Sequence, residues 1–127
     1  MLRRIAQVWI LLLIVGSLNP ARPALVVGLH REIHWLAFGG AAFLLLLLSR
    51  NRHQEIRSVI AVCLLGLSLE YLQHLIYRNA MEWRDVRDNA LAILVALVLY
   101  RLTGAWQVPE AVADAAGKIV TTQPFRP

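Results

Sequence analysis

Residues 59–77 read VIAVCLLGLSLEYLQHLIY, and this stretch decides the fold. Its first eleven positions carry no charge, and Glu70, Gln73 and His74 then follow within five residues. A bilayer core about 30 Å thick is crossed by roughly 20 mostly apolar residues in a helix. With Ile56 and the turn behind it, the segment predicts a membrane-spanning helix over residues 56–77. Working outward, similar apolar blocks predict spans at 33–49, containing the run Leu44-Leu45-Leu46-Leu47-Leu48, and at 4–18, ended by Asn19-Pro20. A fourth block at 86–102 is apolar only over 90–100, so its helix is expected to begin nearer Trp83–Asp85 with a polar first turn. Backbone groups in lipid need internal partners, which selects helices over an open sheet. The expected fold is an all-α bundle of four transmembrane helices over residues 1–102, followed by a flexible cytoplasmic tail over 103–127 that is broken by Gly104, Pro109, Gly117 and Pro124.

Composition agrees. Of 127 residues 58% are hydrophobic and 17% charged, where soluble domains have about 45–50% and 25%. A soluble single domain, a disordered chain and a disulfide-stapled module are all disfavoured; the single cysteine, Cys63, cannot form an intrachain bridge. The net charge of +5 does not point to nucleic acid, because the arginines sit between the apolar blocks as they do around membrane helices. Arg3-Arg4 before an apolar run also fits a signal peptide, but Arg22 occupies the minus-three position before the best cleavage site, so a retained span is expected. Placing the N-terminus inside puts eight basic residues on the cytoplasmic side and five outside, which predicts cytoplasmic N- and C-termini. Trp35, Tyr77 and Trp83 would then mark the outer interface, and Tyr100 and Trp106 the inner one.

Ionisable groups within membrane helices cost about 2.5–3.5 kcal/mol each at the centre, so their positions are informative. Glu70, Gln73, His74 and Tyr77 share one helical face, as do Asp85, Asp88, Asn89 and Ala92. Glu70 lies about 10 Å along the helix from Tyr77. His30 and His34 stand four apart at the start of the second span. In the expected topology all three stripes lie toward the outer leaflet and can form one partly wet site. Each residue also has a plainer role. His34 suits an interfacial position, Glu70 a helix-pairing ion pair with Arg84 or Arg87, and Asp85 and Asp88 the positive end of a helix dipole. Gly39, Gly40, Gly66 and Ala92 suit close helix packing. The histidines and acids could chelate a metal, but there is no H-E-x-x-H and no cysteine cluster, so neither a metal nor another cofactor is assigned. No serine nucleophile or phosphate-binding loop is recognisable.

At these residues the chain resembles the VanZ-like family of small multi-pass bacterial membrane proteins. The resemblance spans roughly residues 30–102 and rests on three short motifs in order: His34-Trp35-Leu36-Ala37-Phe38, Glu70 with Gln73, and Asp85 with Asn89. His30 stands where the family often has an acid, and Ala92 where it usually has glycine. The resemblance implies a cell-envelope location and no defined activity.

Together these readings give an expected binding protein of the bacterial cell membrane. His34, Glu70, Gln73, Asp85, Asn89 and Arg84 would hold a lipid-linked or amphiphilic ligand or a partner membrane protein, with membrane lipids as surroundings and no nucleic acid. An enzyme acting on a lipid headgroup is the less favoured alternative, with Glu70, His34 and His74 as acid–base candidates. A structural or assembly subunit is another.

Overall fold

A computed structural model describes residues 1–19, 29–78 and 80–104. The expected tail beyond Gly104, with Trp106, lies outside the described residues, as do Arg22 and the side chain of His30. Four α-helices and no strand occur among the described residues: α1 Leu2–Ser17, α2 His30–Leu48, α3 Arg52–Tyr77 and α4 Trp83–Leu102. Two of them, α2 over Arg31–Leu48 and α3 over Arg52–Tyr77, are long and apolar enough to cross a membrane. At 1.5 Å per residue the 16-residue α1 reaches only about 24 Å. The 20-residue α4 reaches about 30 Å but carries Arg84, Asp85, Arg87, Asp88 and Arg101.

Local chemistry sets the helix ends. Ser49 is extended, which stops α2. Asn51 then accepts a hydrogen bond from the Gln54 backbone N–H at 2.9 Å, while the Gln54 side chain accepts from the Arg50 N–H at 2.7 Å. These two hydrogen bonds cap the start of α3 at Arg52, four residues after α2 ends. At its other end α3 stops at Arg78, which has φ 55° in the left-handed region. The fourth helix begins at Trp83, with Asp85 in its first turn.

Side-chain contacts give the helix directions. His34 near the start of α2 meets Asn89 near the start of α4, and Gly39 approaches Ala92, so these helices run parallel and make the most extensive contact in the fold. Glu55 near the start of α3 meets Tyr100 and Arg101 at the end of α4, so α3 runs the opposite way. Gln73 and Tyr77 reach Ser17 and Leu18, placing the end of α1 beside the end of α3. The result is an up-down-up-down bundle. Its core contains Leu13, Phe38, Ala41, Ala42, Val62, Leu69, Ile93 and Ala96. Small residues face small residues where α2 meets α4, which lets the backbones come close.

Trp9 fixes α1 to α2. Its indole N–H donates to the Ala37 carbonyl at 3.0 Å, and its ring lies over Gly40, where a Cβ would come within 2.7 Å of the ring carbon Cζ2. Gly40→Val is therefore expected to push Trp9 off this seat and lower stability by about 1–3 kcal/mol. Thermal unfolding of the purified protein, with a loss of the buried-indole fluorescence, checks this. An unchanged melting temperature would mean that α1 adjusts without loss.

Candidate functional site

The three polar stripes read from the sequence meet in part. His34 from α2, Glu70 from α3, and Asp85 and Asn89 from α4 are all buried at the end of the bundle where α2 and α4 begin. One nitrogen of His34 and one carboxylate oxygen each from Glu70 and Asp85 lie within 4.8 Å of one another. The ring of His34 stacks on Phe38, with centroids 5.8 Å apart and planes at 28°. Its Nδ1 lies 2.9 Å from Asn89 Oδ1. An amide oxygen only accepts, so Nδ1 donates this bond. In the neutral ring that leaves the Nε2 lone pair facing Asp85 Oδ2, 3.7 Å away. That separation is too long for a direct hydrogen bond.

Asn89 is only 3% exposed. Its amide Nδ2 is one of two buried side-chain polar atoms without a hydrogen-bond partner among the described residues; Trp35 Nε1, next to His34 in sequence, is the other. Nδ2 lies against Gly66, 3.4 Å from where a Cβ would stand, one helical turn before Glu70. A side chain at position 66 would crowd both Asn89 and Phe38, so this glycine allows α3 to approach the site closely. A buried amide N–H left unpaired costs roughly 1–3 kcal/mol, so the Nδ2 group of Asn89 has an unmet demand for a hydrogen-bond acceptor such as a water or a ligand.

Asp88 forms a second, outer layer. It is buried, while Arg31 approaches its Oδ2 at 3.5 Å and Arg87 donates to its Oδ1 through Nε at 3.1 Å and Nη2 at 3.0 Å. Both arginine side chains are largely exposed. Of the two arginines considered as ion-pair partners for Glu70, Arg84 and Arg87, the latter pairs instead with Asp88, its neighbour on the same helix.

Three candidate site residues, Gln73, Arg84 and His74, lie elsewhere. Gln73 donates to the Ser17 carbonyl at 2.5 Å, and Tyr77, on the same stripe, donates to the Leu18 carbonyl at 2.6 Å. The last carbonyls of a helix have no intrahelical partner, and α3 supplies two donors for those of α1. Gln73 is therefore a helix-docking residue here. Arg84 is exposed, whereas Arg87 and Arg31 engage the buried Asp88. His74 is half-buried and tilted against Tyr71, with centroids 6.4 Å apart; it is not part of the His34–Glu70–Asp85 group.

Sequence reading missed a polar cluster at the opposite end. Glu55 is buried and accepts from the Tyr100 hydroxyl at 3.0 Å and from Arg101 Nη2 at 2.5 Å. Ser49 and Ser58 hydroxyls meet nearby in sequence, 3.1 Å apart, between α2 and α3. Tyr100, expected as an interfacial anchor, is 1% exposed and belongs to the interior. Both carboxylate oxygens of Glu55 and the Tyr100 hydroxyl have partners, so this end has the character of a clamp.

In comparisons with known proteins, the chain matches no family model, no curated protein and no solved structure.

Proposed function

We propose that the chain is a VanZ-like integral membrane protein of the cell envelope. In this reading it crosses the bilayer four times with both termini cytoplasmic, and its buried polar end binds the headgroup of a lipid-linked or amphiphilic ligand.

The distribution of polarity supports the membrane part. Only 28% and 22% of the two apolar windows in α2 and α3 is buried, whereas a core helix of a soluble protein would be mostly covered. Large apolar side chains face outward on every helix, among them Leu12 at 63%, Leu64 at 58% and Leu94 at 55% exposure. Exposed apolar surface of this extent marks contact with lipid or another apolar partner. The acids of α4 turn inward or pair with arginine, which is how charged helices are accommodated in a bilayer. The shorter α1 matches a membrane that thins locally or meets its flanking residues. Orientation rests on the eight-to-five division of basic residues in the sequence.

The observation that carries the binding role is the convergence of four buried polar side chains from three helices, with the Asn89 Nδ2 group among them unpartnered by any described residue. Arg31 and Arg87 beside Asp88 offer exposed cations to an anionic headgroup, and the outward apolar faces accommodate acyl chains. Native mass spectrometry of the protein in lipid nanodiscs tests this. The wild type is expected to carry an amphiphile adduct that Glu70→Gln and Asn89→Ala lose while remaining folded. Adducts identical in all three proteins would place lipid on the outer surface and remove the site from the account. The absence of any adduct from equally stable proteins would favour an assembly role.

A further inference from the structure

We infer that His34, Glu70 and Asp85 bind one first-row divalent metal ion, with Asn89 orienting the histidine. The inference shares its site with the amphiphile reading but requires no lipid.

Four observations lead there. The first is the donor set, one imidazole nitrogen and two carboxylates contributed by three different helices. That mixture of borderline and hard ligands suits Zn²⁺, Mn²⁺ or Fe²⁺ rather than the all-oxygen shells of Ca²⁺. The second is spacing. Ligand atoms about 2.1 Å from one ion at a tetrahedral angle lie roughly 3.4 Å apart. His34 Nε2 and Asp85 Oδ2 are 3.7 Å apart, and the whole group lies within 4.8 Å. Rotamer adjustments of a few tenths of an ångström to about 1 Å would close the shell without moving a helix.

The third observation is the histidine's other nitrogen. Metal-binding histidines typically donate their second N–H to a fixed oxygen, which sets the tautomer and the ring plane. Asn89 Oδ1 accepts from His34 Nδ1 at 2.9 Å, and Phe38 supports the ring face. The fourth is Asn89 Nδ2, buried and unpartnered on that same amide. Charge balance points the same way: two carboxylates and a neutral imidazole around a divalent ion sum to zero, the net charge that an apolar interior tolerates best. Three protein ligands leave one or more positions open, as in catalytic rather than purely structural metal sites.

The test uses the full-length, tag-free protein in detergent, stripped with EDTA and dialysed. It is titrated with Zn²⁺ by calorimetry and with Co²⁺ by visible absorption. One equivalent per chain is expected, with the Co²⁺ bands of a four- or five-coordinate site. Glu70→Gln and Asp85→Asn should each weaken binding at least tenfold. Asn89→Ala should weaken it about 10–100-fold, the range for residues that orient a ligand, and Glu32→Gln, at an exposed acid in the first turn of α2, should leave it unchanged. Failure of the wild type to bind Zn²⁺, Co²⁺ or Mn²⁺ at about 0.1 mM free ion overturns the inference, and that measurement needs no variant to fold. Equal weakening by Glu32→Gln would also overturn it, by assigning binding to the general acidity of this end. Repeating the nanodisc spectra on stripped protein separates the two readings. An adduct kept by a chain that binds no metal removes the metal site alone. Metal binding without an adduct upholds the ion and removes the amphiphile.

Discussion

Phe38→Ala is expected to destabilise the bundle by about 3 kcal/mol, the low end of the range for deleting a buried aromatic ring. The ring is 2% exposed, stacks on His34 and approaches Gly66 of α3. It therefore joins two helices beneath the polar end. The low end applies because lipid tails are as apolar as the core, so the loss is mainly of van der Waals contact and not of transfer from water. Leu36, two residues away and 66% exposed, provides the contrast: Leu36→Ala should change stability by less than about 0.5 kcal/mol. Unfolding in mixed micelles by increasing denaturing detergent would measure both. The Phe38 variant should also lose order in the His34 ring, visible as a broadened imidazole resonance. Equal effects of the two substitutions would mean that the interior around Phe38 is not close-packed.

Glu55→Ala should cost about 2 kcal/mol through a different mechanism. The Tyr100 hydroxyl, on a residue 1% exposed, would lose its acceptor and remain buried, a penalty of roughly 1–3 kcal/mol. Arg101 contributes less, because its side chain is 41% exposed and can turn to water; Arg101→Ala is expected to cost under about 1 kcal/mol. Tyr100→Phe keeps the ring and removes the donor. In a double-mutant cycle with Glu55→Ala the two should be strongly non-additive. Simple additivity would show that Glu55 and Tyr100 act independently.

The helical class and the polar stripe of α4 were legible because both follow from periodicity within one segment. Asp85, Asp88, Asn89 and Ala92, placed on one face by spacing, are all buried. The stripe of α3 was legible only as a stripe. Periodicity places Glu70, Gln73 and Tyr77 on one face but does not say which helix covers each part of it. Glu70 meets α2 and α4, whereas Gln73 and Tyr77 meet the end of α1. Glu55 falls just outside the expected span, which begins at residue 56. The buried face of α3 runs Glu55, Val62, Gly66, Leu69, Glu70, so extending the stripe back from Glu70 by helical spacing reaches Glu55. That Tyr100 faces the interior was not legible, since its partner is 45 residues away and outside any local pattern.

The bonds from Gln73 and Tyr77 to α1 end on main-chain oxygens, which every amino acid possesses. Positions 17 and 18 can therefore change identity over evolutionary time without losing these two anchors, while Gln73 and Tyr77 cannot do so freely. Across descendants of this sequence, α1 should diverge faster at its final turn than the α3 residues that hold it. Its alignment would then be set by Trp9 and by backbone, and a homologue could carry an unrecognisable first helix in the same place.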